Sequence, residues 1–192
     1  MSLATEREDL DALLARMGIE KYDLLLVGDG SGSTWERHCG WGCVSIERDT
    51  MARRVWHGAM NHGTVNFAEL MAYLQPLVWY VQREMKRRKE GKSVVMRQVH
   101  ILTDSSYASN LQGSPPDRRA GHNVVLWQVF RQFTSQGVQI HWHWIPRESV
   151  ELNRLTDAIS KKARIHLESK DLVTESLERF SLNSIYEFNA KD

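Results

Sequence analysis

The stretch LLLVGDGSGS (residues 24–33) joins an apolar run to a glycine-rich segment, and one acidic residue, Asp29, stands between them. The aliphatic residues predict a buried strand over Tyr22–Val27. The glycines that follow predict a turn or a widening of the chain. We therefore expect Asp29 at the point where a buried strand ends.

The chain continues outward from this stretch as one α/β pattern. Strands are predicted at 41–48 and 53–59, and three strands in succession with short connections indicate an antiparallel meander. The other predicted elements are a helix at 5–18, a helix at 66–89, a strand at 99–103, helices at 105–111 and 124–133, a strand at 138–144 and a helix at 152–167. We expect a kink at Pro76 inside the long helix, because proline removes one backbone hydrogen bond.

Charge divides the chain into a basic body between acidic ends. The 192 residues carry a formal net charge of +1, but residues 1–20 carry −3, residues 167–192 carry −3 and residues 21–166 carry +7. A basic body suits a polyanionic partner such as a nucleic acid. We expect one domain at 21–167, with an N-terminal helical extension at 1–20 and a C-terminal extension at 168–192.

Composition excludes disorder, collagen and coiled coil as descriptions of the whole chain. The hydrophobic share of 42% and the charged share of 26% are ordinary for a globular domain. A membrane-spanning helix needs ~20 apolar residues and a signal peptide needs an apolar stretch, and the sequence has neither. We expect a soluble, cytoplasmic monomer without membrane contacts. Cys39 and Cys43 are too few for a disulfide framework, and with His38 they fall one ligand short of a structural zinc site.

Four acidic residues fall where predicted elements meet turns: Asp29, Glu69, Asp104 and Asp157. If the strands before Asp29 and Asp104 are neighbours, these two carboxylates leave the sheet side by side. A like-charge pair at ~4 Å costs about 4 kcal/mol at an effective dielectric near 20, and a hard divalent cation relieves that repulsion. Oxygen ligands select Mg²⁺ or Mn²⁺, and two such ions stabilise both oxygens of a phosphodiester displacement.

Each acidic residue also has a simpler explanation. Asp29 before Gly30 is typical of a tight turn, and Asp104 before two serines is typical of a helix cap. Glu69 and Asp157 are compatible with exposed positions on helices. The joint occurrence of all four in this order favours the metal site.

Four segments around these residues resemble the signature motifs of type 1 ribonuclease H: DGSGS (29–33), NFAELMAYL (66–74), ILTDSSY (101–107) and NRLTDAI (153–159). The resemblance covers about residues 22–166. It implies an α/β fold with a five-stranded mixed sheet of order 3-2-1-4-5 flanked by helices. It also implies a catalytic domain that hydrolyses the RNA strand of RNA–DNA hybrids with two Mg²⁺ ions, or Mn²⁺ in their place, and leaves a 3′-hydroxyl and a 5′-phosphate.

The resemblance further implies a role for each residue of the motifs. Asp29 would bridge both metal ions, and Asp157 would complete the site of the ion that activates the attacking water. Glu69 and Asp104 would hold the ion at the leaving oxygen, and Glu69 would also contact a ribose 2′-hydroxyl. Small or amide groups would contact the minor groove of the hybrid, and these are Gly30, Asn66, Ser105 and Ser106.

The sequence departs from the family in three respects. Pro76 and the acidic terminal extensions have no counterpart in it, and the other two departures concern a basic protrusion and a histidine. Many members have a basic protrusion where this chain has only residues 112–122. The candidates to replace its contacts are Arg118, Arg119 and the basic run 83–97. The loop before the last helix lacks the histidine that members often carry there. The candidates for its role in product release are Arg147 and Glu148.

Two other classes of function stay open. The first is a nuclease of the same fold that acts on branched DNA or on a transposition intermediate. The second is a non-catalytic scaffold that binds nucleic acid or protein, which the presence of all four carboxylates disfavours. The two terminal extensions are candidates for contact with a protein partner.

Overall fold

The computed structural model describes residues 9–32, 38–92, 97–110, 123–147 and 149–168. Its elements are α1 (Leu10–Arg16), β1 (Leu24–Gly32), β2 (Cys39–Glu47), β3 (Arg53–Met60), α2 (Val65–Lys89), β4 (Gln98–Thr103), α3 (Ser106–Ser109), α4 (Val124–Ser135), β5 (Gln139–Trp144) and α5 (Glu151–Glu168). This is the predicted order of strands and helices. The predicted loop with Arg118 and Arg119, the product-release candidate Glu148 and most of the C-terminal extension lie outside the described residues.

The five strands form one mixed sheet in the order β3-β2-β1-β4-β5, as expected. β2 pairs antiparallel with β1 and β3, whereas β4 lies parallel to β1 and β5. Val27 of β1 is in register with Leu102 of β4. Asp29 and Asp104 each stand two residues further along, so they reach the same end of the sheet.

The glycine-rich segment after Val27 is not the predicted turn. β1 continues through it to Gly32 and stays paired with β2 along its whole length. The glycines serve close packing instead, because a Cβ atom at Gly30 would overlap the backbone nitrogen of Glu69 in α2. Asp29 therefore lies inside a strand and not at its end.

Helix α2 begins at a cap and runs along the sheet. The Thr64 hydroxyl accepts a hydrogen bond from the Phe67 N–H at 3.1 Å, which satisfies one free donor of the first turn. The helix continues past the buried Pro76 without interruption, so a bend at this residue stays a prediction. The cap fixes the start of α2, and hence Glu69 in its second turn, against β1.

Helix α5 packs closely on β2 because two glycines make room for it. A Cβ atom at Gly40 would overlap the backbone near Ser160 and Arg164, and one at Gly42 would overlap Thr156 and Ile159. This contact places Asp157, which precedes Ile159 by two residues, over the end of the sheet.

Each face of the sheet has its own hydrophobic core. The first core lies under α2 and α4 and contains the free, buried thiols of Cys39 and Cys43. The second core includes Leu13 and Leu14 of α1, with Leu13 fully buried. Part of the predicted N-terminal extension thus belongs to the folded unit. Among the described residues, none of the helices has the length and apolar character that crossing a bilayer requires.

Candidate functional site

A cleft of about 510 Å³ opens at the end of the sheet where β1 and β4 meet the start of α2. All four predicted acidic residues line it. Three cationic side chains share the lining, and these are Arg147, Lys161 and Arg164. Opposite charges thus face one another across one open cleft.

Three of the four carboxylates form a compact cluster. Asp29, Glu69 and Asp104 each offer an oxygen atom within 4.8 Å of the other two. Asp29 and Glu69 are only 4% and 7% exposed. Burial, followed by the charges of Asp29 and Asp104, raises the pKa of Glu69 to about 9. Burial and neighbouring carboxylates also raise the pKa of Asp29, and burial raises that of Asp104.

The cluster fits a divalent cation. The Gly30 N–H donates a hydrogen bond to the Glu69 carboxylate, but the buried oxygen Oε2 of Glu69 has no hydrogen-bond partner among the described residues. A buried oxygen without a donor is uncommon in proteins, and a metal ion would satisfy it. The ligand set contains oxygen atoms only, which suits Mg²⁺ or Mn²⁺ better than zinc.

The fourth carboxylate, Asp157, lies beside Asp29 but is held by cations. Its Oδ1 accepts a hydrogen bond from Arg147 Nη2 at 3.0 Å, and its Oδ2 accepts one from Lys161 Nζ at 2.6 Å. Partial burial opposes ionisation, yet these two bonds hold the pKa of Asp157 below its usual value. A protonated Asp29 also donates a hydrogen bond to Asp157. The structure therefore brings the four acidic residues together, three as a cluster and one as an ion pair next to it.

The predicted nucleic-acid contacts divide into two pairs. Gly30 and Ser105 line the cleft, where the Ser105 hydroxyl accepts a hydrogen bond from the Ala108 N–H at 3.2 Å and caps α3. Asn66 and Ser106 are exposed residues at the starts of α2 and α3, outside the lining of the cleft. Gly30 has a structural reason for its identity, since α2 leaves no room for a side chain there.

Sequence reasoning did not assign three functional candidates of the cleft lining to the site: it did not single out Lys161 or Arg164, and for Trp144 the alternation of QIHWHW favours sheet-face packing over contact with bases. Lys161 follows Asp157 by four positions, so helical periodicity alone would have placed the two on one face. Arg164 lies near the same face, and its Nε donates a hydrogen bond to Ser31 Oγ at 3.1 Å. Trp144 ends β5, and its indole Nε1 donates to the backbone oxygen of Asp104 at 3.1 Å. No local pattern signals that last contact, because it joins two strands.

Comparisons with solved structures return ribonuclease H domains. The N-terminal RNase H domain of Rv2228c from Mycobacterium tuberculosis, solved as a fusion with maltose-binding protein, is 18% identical with a TM-score of 0.56, and the match covers 78% of this chain and 98% of that one. LC11-RNase H1, isolated from compost by a metagenomic approach, is 16% identical with a TM-score of 0.54 over 76% of this chain and 98% of that one.

A second structure of LC11-RNase H1, in complex with an RNA/DNA hybrid, gives the same identity and TM-score over 74% of this chain and 97% of that one. No protein-family profile and no curated protein matches the sequence. At these identities the likeness concerns the fold, and it agrees with the strand order of the sheet. The chain thus has the fold of the type 1 ribonucleases H.

Proposed function

We propose that the chain is a metal-dependent endonuclease that hydrolyses the RNA strand of RNA–DNA hybrids with two Mg²⁺ ions, for which Mn²⁺ can substitute. The observation that carries the proposal is the cluster of Asp29, Glu69 and Asp104 in an open cleft. Crowded, buried carboxylates without a counter-cation destabilise a fold. A bound divalent cation would therefore account for the cluster, which on its own lowers the stability of the fold.

The four carboxylates divide naturally into two ligand sets. Glu69 and Asp104 would hold one ion together with Asp29, and Asp157 would hold the other together with Asp29. Asp29 lies within reach of both sets, since it clusters with Glu69 and Asp104 and is hydrogen-bonded to Asp157. Bound divalent ions would supply Lewis-acid stabilisation for the oxygens of a phosphodiester.

The cations of the cleft support a polyanionic substrate. Arg147 and Lys161 neutralise Asp157 in the metal-free protein. If Asp157 held a divalent ion, Arg147 and Lys161 would no longer be needed to neutralise it, and both side chains would be available to bind the substrate phosphates. Arg147 is 65% exposed at its side chain, so we propose that it also takes part in product release.

Recognition of the RNA strand would rest on groups at the rim of the cleft. We propose that Gly30 and Ser105 inside the lining, and Asn66 and Ser106 beside it, contact the minor groove of the hybrid. Glu69 would reach a 2′-hydroxyl, the group that distinguishes RNA from DNA. The structure of LC11-RNase H1 with an RNA/DNA hybrid supports this substrate class for the shared fold.

A cleavage assay with three substrates tests the proposal. RNA–DNA hybrid, duplex DNA and duplex RNA are incubated separately with Mg²⁺, and the ends of the products are mapped. We expect cleavage of the hybrid only, with 5′-phosphate and 3′-hydroxyl ends, and no cleavage by Asp29→Asn. Cleavage of duplex DNA in preference to the hybrid would indicate another nuclease of this fold, and cleavage of none of the three substrates would indicate a scaffold.

A further inference from the structure

Trp144 is unusual among the tryptophans that the structure describes, because its side chain is exposed. It is 55% exposed, whereas Trp41, Trp127 and Trp142 are at most 8% exposed in the first hydrophobic core. Within the described part of the chain, no aromatic ring and no guanidinium group packs on the face of Trp144. More than half of this large apolar side chain is therefore open to solvent beside the cleft.

The ring is nevertheless held in place. Trp144 is the last residue of β5 and is in register with Thr103 of β4, directly before Asp104. Its Nε1 donates a hydrogen bond to the backbone oxygen of Asp104, and the side chain forms one wall of the acidic cleft. The edge of the indole is thus fixed to the metal-binding strand, while its face is open to whatever occupies the cleft.

We propose that Trp144 contacts the substrate and packs its face against the sugar of a nucleotide next to the scissile phosphate. This inference rests on the proposed function. In a duplex the bases are stacked inside, so the apolar surface that a groove offers to a protein is mainly that of the sugars. A pre-oriented aromatic face binds such a surface at low entropic cost and without regard to base sequence.

The proposal separates two contributions of the same side chain. The indole face would contribute to binding of the hybrid, which appears in KM and in the dissociation constant. The hydrogen bond from Nε1 would position the Asp104 backbone, which appears in kcat. Trp144→Phe keeps an aromatic face and loses the hydrogen bond, whereas Trp144→Ala loses both.

The experiment measures hybrid binding in EDTA at low salt, where cleavage is off, and cleavage kinetics in Mg²⁺. Packing of the indole face on a sugar removes on the order of 60 Å² of apolar surface from water, equivalent to about 10-fold in affinity, so we expect Trp144→Ala to raise Kd and KM about 10-fold. Trp144→Phe should stay within about threefold of wild type for Kd, because one aromatic face replaces another. Val55→Ala removes a residue that is 56% exposed on β3, outside the cleft lining, and should change neither quantity.

Three results would overturn the inference. Wild-type affinity in Trp144→Ala would show that the face makes no contact with the hybrid. Equal kcat losses in both variants, with Kd unchanged, would assign Trp144 to positioning of Asp104 alone. Failure of the wild type to bind or cut the hybrid would remove the proposed function and this inference with it. Thermal unfolding of every variant shows whether a loss of affinity comes from misfolding. If Trp144→Ala does not fold, Trp144→Phe tests the inference: its kcat should fall while its Kd stays within about threefold of wild type.

Discussion

Neutralising Glu69 should stabilise the metal-free protein while it abolishes the proposed activity. The pKa of Glu69 is raised from 4.5 to about 9, so folding favours the protonated carboxyl group. The folded state therefore loses free energy relative to the unfolded state as the pH rises above 4.5. The difference between pH 7.5 and the ordinary pKa of 4.5 is three units. At 1.36 kcal/mol per unit, the loss of folding free energy at pH 7.5 is at most about 4 kcal/mol. Glu69→Gln removes this loss and keeps an oxygen that accepts the Gly30 N–H.

Urea unfolding in EDTA at pH 5.5 and pH 7.5 tests this reasoning. The stabilisation of Glu69→Gln over wild type should grow by about 3 kcal/mol between the two pH values, because only the wild type carries the penalty. Saturating Mg²⁺ should then stabilise the wild type more than the variant, since a metal ion that binds only the folded state adds to stability.

The matched control is the other buried glutamate of α2. Glu84 is 4% exposed, but its carboxylate lies 3.2 Å from Arg83 Nη2 and 3.8 Å from Arg87 Nε. Glu84→Gln weakens these pairs and should destabilise the protein at both pH values. Our reasoning fails if Glu69→Gln is less stable than wild type at pH 7.5, or if its advantage is the same at both pH values.

Four further outcomes follow from the structure. Asp104→Asn should lower the rate of hybrid cleavage more than ~10³-fold, equivalent to about 4 kcal/mol of transition-state stabilisation, and normal turnover would remove Asp104 from the site. Gly30→Ala should lower both the unfolding midpoint and the metal affinity measured by calorimetry, because the new Cβ displaces Glu69; an unchanged midpoint would contradict the close packing. Leu13→Ala should cost about 2–5 kcal/mol in urea unfolding, as is usual for a fully buried leucine, and a loss below 1 kcal/mol would place α1 outside the core. Burial and two neighbouring histidines lower the pKa of His100 from 6.5 to about 4. Because the unfolded chain then binds the proton more readily than the folded one, the wild type should lose stability as the pH falls from 6.5 towards 4. His100→Gln should lose less stability over that range, measured in EDTA.

The sequence contained enough information to predict the sheet and the positions of the acidic residues. Apolar runs mark β1 and β4 directly, and each aspartate follows by two residues the last position at which the two strands pair, Val27 with Leu102. The order of the strands came from the resemblance of four short motifs to type 1 ribonuclease H. Neither periodicity nor composition specifies which strand lies beside which.

The errors and omissions have a common physical cause, which is that tertiary contacts decide them. The glycines after Val27 favour a turn locally, but pairing with β2 and the approach of α2 keep them in a strand. The ion pair between Asp157 and Arg147 joins a helix to the loop before it, and the bond from Trp144 to Asp104 joins two strands. Each depends on the assembled end of the sheet.

The close fit of α5 on Gly40 and Gly42 also governs when the acidic quartet becomes complete. Synthesis on the ribosome proceeds from the N-terminus, so β1, α2 and β4 emerge with three carboxylates long before Asp157 does. The fourth carboxylate takes its place only after α5 has left the exit tunnel and docked on the two glycines of β2. Any chemistry that needs all four groups is therefore withheld from a nascent chain until α5 has been synthesised and has docked, even though three of the carboxylates are already in place.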